Sequence, residues 1–177
     1  MARLTPLLDQ AGLEECDVTA LLPVLAAALL DLGRVDEASK LVAQALARAR
    51  REGLRIFLVE ALRVQAQVAL RQEQWAEVEC NLEEGMAVAR AIPYPYAEAR
   101  ILRLDSQRHA ALGDRTAAAE RLEATLTIFR RLGAATDVAC VEGAHAALDR
   151  EWTAEDAGRE GQGKDRTGVS DSTTRDR

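Results

Sequence analysis

Glu60, Arg63, Gln67 and Arg71 are separated by 3, 4 and 4 residues, so on an α-helix they share one face. Forty residues on, Arg100, Arg103 and Gln107 repeat the first steps of 3 and 4. If the two segments are parallel neighbours, four guanidiniums face one carboxylate, Glu60. A guanidinium presents a planar fork of donors that matches carboxylate or phosphate oxygens two at a time. The alternative is a pair of solvated helix faces in which Glu60 and Arg100 satisfy one another. No other set of residues suggests chemistry so directly. His109 and His145 lie 36 residues apart, and Cys16, Cys80 and Cys140 form no CxxC or Cys/His cluster. Cys80 and Cys140 fall within helical patterns and read as buried small hydrophobes. Glu14–Glu15 and Glu83–Glu84 are sequence neighbours and point about 100° apart on a helix, which suits solvated faces rather than paired acid and base. No nucleophile–base pair is visible. The expectation is no enzyme, no catalytic residue, no cofactor and no metal.

What must position the arginine stripes is a repeat. LGRVDEA (32–38) and LGDRTAA (112–118) are offset by 80 residues, and half of that step lands in LRQEQWAEV. A 40-residue step aligns Leu22, Leu62 and Leu102, then Ala26, Ala66 and Ser106. It also aligns Ala38, Val78 and Ala118; Val42, Leu82 and Leu122; and Leu46, Met86 and Leu126. Gly53, Pro93 and Gly133 close the units. Each unit splits into two helices, predicted over 19–31 and 35–51, 55–71 and 75–91, 96–111 and 115–132. In the second helix of unit one, Ala38, Val42, Ala45, Leu46 and Ala49 make a single apolar stripe. Gly53 and Gly133 suit left-handed helix ends, preceded by Arg50, Arg51, Arg130 and Arg131 at the negative end of the dipole. PYPY (93–96) predicts an extended link. Asp17 or Thr19 is expected to cap the first helix, with Pro23 near its first turn, and Asp137 to cap a last helix over 138–150.

Composition narrows the partners. Aromatics make up 3% of the 177 residues, too few for stacking platforms on bases or sugars. The net charge of −6 lacks the basic footprint of a phosphate-backbone binder, so direct nucleic-acid binding is not expected. No apolar run is long enough to span a bilayer, and MARLTPLLDQ does not resemble a signal peptide. A cytoplasmic protein with no membrane contact is the expectation.

These residues resemble the tetratricopeptide repeat in a long-helix variant. The helix-A Leu, the small residue four positions on, the turn glycines Gly33 and Gly113, and the helix-B Ala38 and Ala118 carry the resemblance. Val78, Gly85 and Glu73 depart from the pattern. The resemblance implies an all-α fold of antiparallel hairpins stacked as a right-handed solenoid, about three repeats plus a terminal helix. It further implies that the helix-A faces line a concave groove, which would hold Glu60, Arg63, Gln67, Arg71, Arg100, Arg103 and Gln107. A protein or an acidic peptide is the partner so implied, and the function is that of a peptide-binding scaffold. ALLDLGRVDEA, PYPYAEAR and LTIFRRLGA are also similar to the C-terminal helical arrays of bacterial signalling ATPases and LuxR-type transcriptional regulators. The alternative is therefore a ligand-sensing arm.

The organisation expected is a partial helix of a preceding repeat over 1–12, units over about 13–53, 54–93 and 94–133, a final helix over 137–150, and a disordered tail over 151–177. Residues 151–177 carry too few apolar groups to offset the entropy of ordering. An incomplete first unit leaves apolar surface at that end, so self-association is expected there.

Overall fold

The computed structural model describes residues 16–164, with side chains described over 20–150 and at 152 and 153. Within that span every element is a helix: α1 Cys16–Asp31, α2 Val35–Glu52, α3 Arg55–Arg71, α4 Trp75–Ala91, α5 Pro95–Ala111, α6 Arg115–Leu132 and α7 Ala135–Lys164. Each helix packs antiparallel on the next, and α1 also packs on α3 and α3 on α5. α1, α3 and α5 therefore form one layer, against which α2, α4 and α6 pack, as in a helical-repeat solenoid. None of the described helices is long and apolar enough to cross a membrane.

The turns follow a finer rhythm than the 40-residue unit. Gly33, Gly53, Gly113 and Gly133 take positive φ, and Glu73 takes φ 57° at the matching place in unit two. At each of the six turns, the amide one residue further on donates to a carbonyl five residues back, as in Leu54 N to Ala49 O at 2.9 Å and Gln74 N to Ala69 O at 2.9 Å. This is a Schellman closure, which satisfies carbonyls orphaned at a helix end and requires a left-handed residue. Both helices of a hairpin thus end in the same way, every twenty residues.

The core follows the expected register. Leu22, Leu62, Ala26, Ala66, Ser106, Ala38, Val78, Ala118, Val42, Leu82, Leu122 and Leu126 are buried, while Leu46, Met86 and Leu102 are half-buried. Gly85 explains one departure from the family pattern. A Cβ there would meet Ile101 Cδ1 at 3.2 Å, so the bare backbone lets α4 and α5 approach closely.

Several local expectations are corrected. α1 already includes Cys16, the first described residue, so Asp17 and Thr19 lie inside it and Pro23 is interior. α5 starts at Pro95, whose fixed φ suits the first helical turn, so the extended link shrinks to Ile92–Tyr94. Asp137 lies in the first turn of α7 rather than before it, where its charge favours the positive dipole end. Cys80 and Cys140 are exposed, not buried. Each is adjacent to an inward residue, Val78 or Leu82 for the first and Val141 for the second, and a step of one or two residues turns a side chain away from the core.

The largest departure is α7, which continues through Lys164 into the segment expected to be disordered. The next position in the twenty-residue turn series is Thr153, whose β-branched side chain strongly disfavours a left-handed cap. Its hydroxyl instead donates back to Asp149 O at 2.6 Å, a bond that forms within a continuing helix. Trp152 is half-buried, with the Arg115 guanidinium 5.4 Å from its ring centroid. Residues 1–12 and 165–177 lie outside the described residues, so the partial helix expected at the start falls there.

Candidate partner-binding groove

The layer of α1, α3 and α5 carries the stripe. α3 supplies Glu60, Arg63, Gln67 and Arg71; α5 supplies Arg100, Arg103 and Gln107. Because α3 and α5 pack side by side in register, residues forty apart become neighbours. Arg100 Nη1 donates to Glu60 Oε2 at 2.9 Å. Arg63 Nε donates to the same oxygen at 3.1 Å, and its Nη1 donates to Gln67 Oε1 at 2.8 Å. The Arg100 guanidinium also lies 5.7 Å from the Tyr96 ring centroid. The pairing of Glu60 with Arg100, one of the two alternatives left by the sequence, is therefore present together with the shared face.

Arg63 is 7% exposed, so it forms part of the wall rather than a solvated surface. Burial pushes its guanidinium below the ordinary value, and nearby Arg100 adds to that push while Glu60 opposes it. A guanidinium stays charged at any physiological pH, so the effect is energetic rather than a change of protonation state. Glu60 Oε1 is buried without a hydrogen-bond partner among the described residues.

Arg63, Gln67, Arg100, Arg103, Leu104 and Gln107 line a cavity of about 130 Å³. Arg103 differs from its two neighbours. It is half-buried, and among the described residues no carboxylate pairs with it and no acceptor takes a hydrogen bond from it. Three guanidiniums against one carboxylate leave the cavity with a surplus of positive charge. Arg71 is exposed near the end of α3 and does not line it.

Arg103 and Gln107 also line a second cavity of about 270 Å³, which opens between α5 and α7. α7 does not continue the close packing that joins α1 to α3 and α3 to α5. No sequence signal marked this opening, because it depends on where a terminal helix comes to rest.

Between α5 and α6, Asp105 of α5 collects Arg121 of α6 at 2.7 Å and Arg108 of its own helix at 3.0 Å, with His109 at 3.7 Å. His109 also lies 3.4 Å from Asp114. The i, i+3 spacing of Asp105 and Arg108 was readable in the sequence; the approach of Arg121 from α6 was not. Among the described residues, no group of three or more His, Cys, Asp or Glu is placed to hold a metal ion.

Stacked helical hairpins with a charged stripe on one layer define a helical-repeat array. Residues 17–91 match the family model of the tetratricopeptide repeat. That span covers the first two hairpins, which are similar to this family. No curated protein and no solved structure matches the chain.

Proposed function

We propose that the protein is a binding scaffold whose inner face takes an acidic peptide or an acidic segment of a partner protein. Tetratricopeptide repeats generally mediate protein–protein interaction. The observation that carries the reading is Arg103, a guanidinium without a partner among the described residues, in a cavity where two other arginines are already bonded. A ligand carboxylate completes it, and the surplus positive charge raises the local potential within an acidic chain. The reading includes no catalysis, no direct nucleic-acid contact and a cytoplasmic setting. The sensor-arm alternative is supported by the sequence resemblance alone. Self-association at the first hairpin is supported by Leu21 and Val24, which are 52% and 63% exposed on α1. Light scattering over a concentration series tests it, with Val24→Glu expected to reduce any association.

Fluorescence anisotropy with a labelled peptide rich in Asp and Glu tests the groove. Arg103→Glu should abolish binding and shift stability by no more than about 0.5 kcal/mol, because the side chain makes no packing-critical bond. Binding should weaken with salt, since charges exposed in the groove are screened over about 8 Å at physiological ionic strength. Arg50→Glu with Arg51→Glu, at the end of α2, is the control and should leave binding intact. Loss in the control with retention in Arg103→Glu would refute the groove.

A further inference from the structure

The two cavities that share Arg103 and Gln107 differ in chemistry. The smaller is walled by guanidiniums and amides. The larger, between α5 and α7, is walled beyond its mouth by Ala110, Leu122, Ala144, Ala147 and Leu148. Ser106 is the remaining polar residue in that wall, and its hydroxyl already donates to Arg103 O at 2.7 Å. The backbone of α5 and α7 is bonded within its own helices. A peptide entering this slot would bury its own amides without partners, which is unfavourable, whereas a hydrocarbon would lose nothing polar. Together the cavities enter the size range of small-molecule sites, roughly 300–1,000 Å³.

We infer that the groove takes a carboxylate carried on an unbranched apolar chain, with the carboxylate on Arg103 and the chain in the slot between α5 and α7. The inference rests on the basic groove proposed above and adds the ligand class. Arg103 is the hinge of the assignment because it alone among the three arginines reaches both cavities. Gln107 at the same mouth supplies a further amide donor to the carboxylate.

The test is a titration of the full chain with a series of linear carboxylates from acetate to decanoate, read by calorimetry and by amide chemical shifts. Affinity should rise by roughly fourfold for each methylene that enters the slot and then level off as the slot fills. Arg103→Gln should weaken decanoate by about tenfold or more, the loss expected for a charge-assisted hydrogen bond. Ala147→Phe should remove the chain-length dependence, and Ala110→Leu on the opposite wall should do the same should the first variant fail to fold. Decylammonium should not bind. Acetate binding as tightly as decanoate, decanoate binding unchanged in Arg103→Gln, or decylammonium binding as well as decanoate would each overturn the inference. Acidic-peptide binding that depends on Arg103 in a protein that ignores decanoate would overturn it while sparing the scaffold reading. Decanoate binding with no acidic-peptide binding would overturn the scaffold reading alone.

Discussion

Arg63 and Arg48 are equally buried, each 7% exposed, yet they occupy opposite energetic situations. Arg63, on α3 of unit two, bonds Glu60 and Gln67 within ordinary distances. Arg48, on α2 of unit one, has Glu52 at 3.8 Å, and none of its three guanidinium nitrogens has a hydrogen-bond partner among the described residues. Its repeat equivalents are Val88 and Ile128, both packed against hydrophobic clusters. Burial alone therefore does not tell what an arginine contributes. A buried charge with good partners is costly to break, and one without them costs stability as it stands.

The largest expected effect separates the two. Arg63→Ala should lower stability by about 3 kcal/mol in urea denaturation, since Glu60 loses a bonded partner in a buried place. A change near zero would mean the Glu60–Arg100 pair suffices and that Arg63 resembles Arg48 after all. Next, Arg48→Val, which installs the residue type found at 88, should raise stability by about 1–2 kcal/mol in the same experiment. A clear loss would show that Arg48 has a partner in solution, and the contrast would collapse.

Units one and two differ in backbone as well. Gly33 closes the first hairpin, whereas Glu73 holds the equivalent left-handed turn at φ 57°. Glu73→Gly should raise the melting stability by up to about 1 kcal/mol, because a side chain at that conformation crowds its own carbonyl. No gain would mean that the added freedom of the unfolded chain cancels the relief.

The smallest effect reports on the surroundings of Arg63. Burial, and then the charge of Glu60, raise the Tyr94 phenol above its ordinary value. A group raised in the folded state contributes stability that is present below the unfolded value, near 10, and is lost as pH rises through the folded value. Stability should therefore be flat through neutral pH in this respect and fall above about pH 10. Tyr94→Phe should remove the corresponding phenolate absorbance and soften that fall. An identical alkaline profile in the variant would place Tyr94 in open solvent.

Most of the helices were legible because their apolar stripes and end residues agree: Ala38, Val42 and Ala45 face one core, and Gly53 and Gly133 close helices with φ 67° and 69°. The neighbour relation of Glu60 and Arg100 was legible too, since a repeat carries its own register across helices. Depth was not. Whether Arg63 lies in a wall or on a surface depends on how far α5 leans over α3, which no single-helix pattern encodes. Cys80 and Cys140 misled because a small apolar residue suits either face of a helix. The reach of α7 past 150 depends on one missing turn residue at Thr153 and on Arg115 over Trp152, a contact between helices.

In the proposed site Arg63 and Arg100 are already bonded, and Arg103 receives the carboxylate. Nitrogen-15 spectra of the arginine Nε–H groups, recorded while the full chain is titrated with an acidic peptide, test this most directly. The Arg63 signal should be sharp from the start and barely move, while that of Arg103 should begin exchange-broadened, then shift and sharpen to saturation. A shift at Arg63 with Arg103 unmoved, or no shift at either, would contradict the assignment of this face as the binding site.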